Sequence, residues 1–264
     1  MSLTLAARPG PLPSMRFVLG LSLLAAACGS STRSTAIGNA ASAGPVGPAP
    51  TIGWQTTDGD WGGDFTVSGA PAIAADGASV LIASQGEDGA RGAPNLTLEV
   101  RGRDDRAIAT RVVLTADQAV GDESQEPVPP KPDIAGANTW LAAQHAQAGF
   151  APLAVAEVKA EGEDDFTAGS WTAASGAVAV RFDASARLVI TVDGAPVVDR
   201  AMDAWETKPY PMYAGAGPDE QCTNPIALRE AYLDATHRVA VLMVSYRGTD
   251  TCWEPDSQYH VVAW

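Results

Sequence analysis

From Thr51 onward, apolar and polar side chains alternate with a period of two almost throughout. Leu96-Thr97-Leu98-Glu99-Val100 alternates cleanly, as does Val178-Ala179-Val180-Arg181-Phe182. Successive side chains of a strand point to opposite faces, so this pattern predicts strands with one face buried. Denser apolar runs occur at Val80–Ala83, Val112–Leu114, Leu188–Val192 and Val239–Tyr246. They are short and rich in β-branched residues, which favours buried strands over helix. Clusters of Gly, Pro, Asn and Asp separate them, as turns require. About a dozen strands of this kind indicate a sandwich or a propeller.

One segment reads both ways. Asn224-Pro225-Ile226-Ala227-Leu228-Arg229-Glu230-Ala231-Tyr232-Leu233 offers an Asn cap, a proline at the first helical position and good helix formers. A weak internal repeat favours strand. Its unit is a short apolar segment ending at an aspartate, a brief turn, and a strongly apolar strand. Copies end at Asp76, Asp183 and Asp234, and a poorer one has Asp133 before T-W-L-A-A-Q. The four aspartates are spaced 57, 50 and 51 residues apart. A period near 50 suits propeller blades, with each aspartate capping a tight turn. The expected fold is therefore all-β, with propeller-like antiparallel repeats of about 50 residues; an irregular β-sandwich is the alternative. In the propeller, the stretch near Phe65 would complete a last blade that ends with Tyr259–Trp264.

The N-terminus has a different character. From Met15 it reads M-R-F-V-L-G-L-S-L-L-A-A-A-C-G-S-S, and Met15 itself offers a start site. Arg16 supplies a positive charge, and Phe17–Ala27 is an apolar run of 11 residues. That is far short of the roughly 20 needed to span a bilayer, so residues 1–27 read as a signal peptide. Leu24-Ala25-Ala26-Ala27-Cys28 resembles the lipobox of bacterial lipoproteins, with Ala25 where leucine is usual. The resemblance implies cleavage before Cys28, acylation of that cysteine with palmitate-class chains, and attachment to a membrane. Gly29, rather than an aspartate, follows it. By the same resemblance the chain is expected in the cell envelope, at the outer membrane.

Gly29–Pro50 is mostly Gly, Ser, Thr, Ala and Pro, with no aromatic and almost no bulky aliphatic side chain. It buries too little apolar surface to offset its ordering entropy, so residues 28–50 read as a tether reaching on the order of 25 Å. Residues 51–264 then form a single β domain. The chain has 264 residues and a net charge of −14. Loss of the leader removes Arg8 and Arg16 and no acid, leaving −16. Such a chain is repelled by phosphate backbones, so nucleic acid is not an expected partner.

With Cys28 acylated, Cys222 and Cys252 remain in an oxidising compartment, where pairing is expected. A hairpin of Ile226–Leu233 with Arg238–Tyr246, turning near Ala235, would set position 222 opposite about 249, with Cys252 in reach. Such a bridge contributes roughly 3–4 kcal/mol. The alternative, a redox or metal pair, lacks C-x-x-C spacing.

Catalytic signatures do not emerge. G-x-S-x-G, H-E-x-x-H, a phosphate loop and a dinucleotide glycine pattern are all missing. His145, His237 and His260 read as structural or exposed. Asp58, Asp60 and Asp64, in the loop D-G-D-W-G-G-D, have oxygen ligands spaced for a hard cation such as calcium, against the reading of a solvated acidic turn. Glu161-Gly162-Glu163-Asp164-Asp165 reads as a solvated loop. Trp205, Tyr210 and Tyr213 lie in a proline-rich loop that would stack on a glycan or a protein partner, unless the rings plug the core. The address, the tether and the missing motifs together point to a non-catalytic binding or assembly module. The rivals are a polysaccharide hydrolase using a carboxylate pair and a calcium-stabilised domain.

Overall fold

The computed structural model describes residues 47–57, 63–85, 93–120, 131–162, 169–202, 205, 210–211, 217, 221–222, 226–246 and 257–264. All of them belong to one compact unit, Ala40–Trp264. The first hairpin is β1 (Thr51–Gln55) with β2 (Asp64–Ser68). A meander follows: β3 (Ala72–Ile73), β4 (Ser79–Ser84), β5 (Leu96–Gly102) and β6 (Ala107–Leu114). After helices α1 (Ala116–Val120) and α2 (Ile134–Ala148), β7 (Ala151–Pro152) returns beside β3 and completes sheet I, in the order β6-β5-β4-β3-β7.

Next come β8 (Val155–Ala156) and a second meander: β9 (Val158–Glu161), β10 (Ser170–Ser175), β11 (Val178–Asp183), β12 (Arg187–Val192) and β13 (Ala195–Ala201). This meander is sheet II. A short pair, β14 (Tyr210–Pro211) with β15 (Gln221–Cys222), precedes β16 (Ile226–Asp234), β17 (Val239–Tyr246) and β18 (Gln258–Ala263). These last three, with β8 beside β16, form sheet III. Among the described residues, every strand pairing within the sheets is antiparallel.

The sheets stack face to face, with sheet III in the middle. One of its faces puts Val239, Val241 and Val261 against Ile73, Val80 and Ile82 of sheet I. Its other face puts Leu228, Leu242, Val244 and Val262 against Trp171, Val180, Phe182, Leu188 and Ile190 of sheet II. The far side of sheet I buries Leu81, Leu96, Leu98 and Val100 against Ile52 of β1 and Ala137 and Leu141 of α2. The hydropathy pattern reports these layers. In β17, Val239, Ala240, Val241, Leu242 and Val244 are all buried, as a strand covered on both faces requires. In β11, buried Val178, Val180 and Phe182 alternate with more exposed neighbours, as in a strand covered on one face.

The repeat aspartates divide into two groups. Asp76, Asp183 and Asp234 occupy corresponding turns, between β3 and β4, β11 and β12, and β16 and β17. In each, Oδ1 accepts the amide two residues on: Ala78 at 2.9 Å, Ser185 at 3.0 Å and Thr236 at 2.7 Å. Asp193-Gly194 forms the two-residue loop between β12 and β13, with φ of 50° and 79°. Both values are positive, as a type I′ turn requires. The ambiguous segment is strand, in β16, and its hairpin with β17 turns across residues 235–238.

Asp133 corrects the repeat. It caps α2 through a 2.9 Å bond from the Gly136 amide, and Gly149 ends the helix in the left-handed region at φ 63°. T-W-L-A-A-Q is therefore helical. Its alanines and glutamine favour helix, and the cap, the closing glycine and the prolines before Asp133 mark its ends. The expectation for Phe65 is corrected too, because β2 pairs with β1 rather than with the last sheet. The fold is mostly β, in antiparallel sheets, and the described residues show no closed or propeller arrangement. Of the segment expected to be tether, Gly47–Pro50 is described: Pro50 is buried, and a Cβ on Gly47 would lie 2.9 Å from Pro152.

Leu141→Ala should lower unfolding free energy by about 3 kcal/mol in chemical denaturation, because Leu141 is the largest fully buried side chain of α2 and its truncation leaves a cavity. Asp234 supplies a pH test. Partial burial works to raise its pKa, but hydrogen bonds from the His237 side chain and backbone, the His237 charge and the Thr236 amide outweigh it and hold it below 3.8. A depressed carboxyl pKa stabilises the fold above the unfolded value, and that stabilisation is lost as pH falls through the folded one. Asp234→Asn should therefore lower stability by about 1–2 kcal/mol at pH 7. The deficit should shrink below pH 3.8, as the wild-type carboxyl takes up its proton.

Candidate binding surface

One group of polar contacts in the described residues joins sheet I to sheet III. β18 is an edge strand, and two of its outward backbone groups are satisfied by side chains of sheet I. The Arg101 guanidinium donates to the Tyr259 carbonyl. Asp105 Oδ1 accepts the Val261 amide at 2.8 Å, and its Oδ2 lies 2.8 Å from His260 Nδ1. Glu99 holds Arg101 from the same strand at 2.6 Å. Asp105 reaches this position from the turn between β5 and β6, at φ 63°. Beside it, Arg103 donates to the carbonyls of Gly77 and His237, at 3.2 and 2.7 Å, clamping the β3–β4 turn to the β16–β17 turn. Those turns touch closely: a Cβ on Gly77 would lie 2.6 Å from His237 Cδ2, so only glycine fits.

His260 is buried. With Nδ1 donating to Asp105, its ring stacks on Trp205 at 4.1 Å, and its Nε2 has no hydrogen-bond partner among the described residues. Trp205 in turn packs 6.0 Å from Phe182, within the core between sheets II and III. Its faces are used for packing, so it plugs the core and does not present a ring to a glycan. His237 pairs with Asp234 at 2.8 Å. Glu230 accepts from Tyr232 and Tyr259, at 2.7 and 2.8 Å through the same oxygen. Burial and the Glu230 charge raise the pKa of both phenols well above the ordinary value of 10, so they remain donors.

The outer face of sheet II is different. Its inner face is buried against sheet III, while the outer one carries a groove of about 380 Å³. Thr172 and Ala174 of β10, Ala179 of β11, and Val189 and Thr191 of β12 make its floor. Ala174 pairs directly with Ala179, and Ala179 with Thr191, so three short side chains adjoin and leave the concavity. Glu157, Lys159 and Arg181 form its walls. Lys159, Thr172 and Arg181 lie in one row across β9, β10 and β11. The alternation in W-T-A-A-S and V-A-V-R-F already set Thr172, Ala174, Ala179 and Arg181 on one face; it gave no sign that this face stays uncovered.

Several expected site residues have positions here. Asp64 opens β2, exposed and opposite Gln55. Asp58 and Asp60 lie outside the described residues, among which no group of three metal-ligating side chains occurs. Cys222 sits in β15 opposite Tyr210 of β14. Cys28, Tyr213 and Cys252, and with them the lipid anchor and the proposed disulfide, lie outside the described residues. No protein-family model, curated protein or solved structure matches the chain. Fold and surface together define a class no narrower than a mostly β protein of stacked antiparallel sheets.

Asp105→Ala removes the acceptor for two donors at the edge of sheet III and leaves a buried imidazole N–H unpaired. Denaturant titration should show a loss of about 2–3 kcal/mol. Asp104→Ala, one residue away on an exposed side chain, should change stability by less than about 0.5 kcal/mol.

Proposed function

We propose that the chain is an exported, lipid-anchored envelope protein whose β domain is a non-catalytic binding or assembly module. The observation that carries this reading is the groove on sheet II: a rigid, concave sheet face with a floor of small side chains and a polar rim. Small side chains let a ligand or partner approach the sheet closely, and a few polar groups at the edge fix its orientation. A polysaccharide hydrolase would use two carboxylates flanking the scissile bond. Among the described residues the groove presents one, Glu157, and no aromatic ring, a composition that favours binding. Leu24–Cys28 supports the address. In the same reading, the hairpins capped by Asp76, Asp183 and Asp234 are copies of one repeated antiparallel unit, supported by their common Asx turn.

Labelled palmitate should enter the chain in a bacterial host. Cys28→Ser should abolish the label and move the protein out of the membrane pellet; an unlabelled wild type would remove the anchor from this reading. A photo-crosslinking residue at position 172 should capture a reproducible envelope component, and Ala179→Leu should abolish the capture by filling the groove. The same crosslinker at Thr110, on β6, is the control. Equal capture from both positions, or none from 172, would count against the binding role.

A further inference from the structure

We propose that the groove on sheet II binds a small organic carboxylate, with its charged head between Lys159 and Arg181 over Thr172 and its aliphatic body on Ala174, Ala179 and Val189. This rests on the binding reading above and names the ligand chemistry.

The head-group site follows from the row Lys159–Thr172–Arg181. Adjacent strands lie about 4.8 Å apart, so the two cationic residues start roughly 10 Å from each other and flank one hydroxyl. Their acidic neighbours do not close them off. Lys159 Nζ is 3.6 Å from Glu157, and Arg181 is 3.8 Å from Glu161, both beyond hydrogen-bond range. Glu161 is instead engaged by the Ser170 hydroxyl. On the same face, Arg187 and Asp199 form a closed pair at 2.6 Å. Arg181 Nη2 also donates to the Ser170 hydroxyl at 3.5 Å. Its side chain and that of Lys159 are nevertheless more than half exposed, so both keep further N–H groups for a ligand. A carboxylate there accepts from both and from the Thr172 hydroxyl.

Charge supports the same choice. Among the described residues, the groove lining sets Lys159 and Arg181 against Glu157, with Glu161 beside Arg181 outside the lining, in a chain of net charge −14. An anion that the molecule as a whole repels meets a local attractive site there. The floor is aliphatic, which suits a chain better than a planar ring. A volume of about 380 Å³ lies at the small end of ligand sites, which run from about 300 to 1,000 Å³.

The test is an amide-resolved NMR titration of the full chain, carrying Cys28→Ser, with octanoate, octanol and octylammonium as probes. Octanoate should shift amides of β9, β10 and β11 saturably, and octylammonium should not. Lys159→Gln and Arg181→Gln should each weaken octanoate at least about tenfold. Both side chains are more than half exposed, so melting temperature should stay unchanged. Non-saturating shifts with octanoate, or affinities indifferent to both substitutions, would overturn the proposal. Equal binding of octanol and octanoate would overturn the carboxylate assignment and leave the binding reading standing. That reading fails separately, if crosslinking from position 172 captures nothing.

Discussion

The arrangement depends on how an edge strand in the middle layer finds partners for its backbone. Sheet III is buried on both faces, so β18 cannot rely on open solvent along its edge as an outer strand does. Arg101 and Asp105 stand in for a neighbouring strand: one donates to a carbonyl, the other accepts an amide, and the same carboxylate orients His260. An unpaired buried backbone group costs about 1–3 kcal/mol, and these side chains remove that penalty at two positions. The device recurs at β1, where the Asn138 amide both accepts from the Ile52 N–H and donates to the Ile52 carbonyl, at 2.8 and 2.9 Å. An α-helix thus closes one strand edge and a β-turn another.

Using these groups between sheets determines what is left for function. Arg101, Arg103, Asp105, Asp234 and His237 hold layers and turns together, and Glu230 is engaged by two phenols. The edge of sheet I is modified in another way. Register shifts place extra residues at Ile108 and Val113 of β6, and such bulges distort an edge so that another strand pairs poorly with it. Among the described residues no layer covers the outer face of sheet II, and its register shift, at Val197, lies in the edge strand β13. That face has short side chains flanked by loosely held charges, and for that reason the functional reading settles there.

Much of this was legible along the chain because strand geometry has a strict local period. The alternation in Leu96–Val100 and Val178–Phe182 determined which side chains share a face. The unbroken run Val239–Val244 marked a strand covered twice. Asp76, Asp183, Asp193-Gly194 and Asp234 determined their turns, since an Asx turn or a left-handed pair is made within four or five residues. The signals for α2 were local as well: Asp133, the alanines and Gly149 lie within seventeen positions, and spacing alone suggested a strand there.

The layer order was decided only by tertiary structure, because burial on a face does not say what buries it. Asp105 meets His260 across 155 positions of sequence, a pairing no local pattern encodes. The proline-rich surroundings of Trp205 leave both an exposed ring and a core plug open, and the gap between Phe182 and His260 takes it into the core. That sheet II keeps one face bare depends on where every other layer comes to rest. Local sequence determines the side a residue points to; the packing of distant segments determines whether that side meets protein or water.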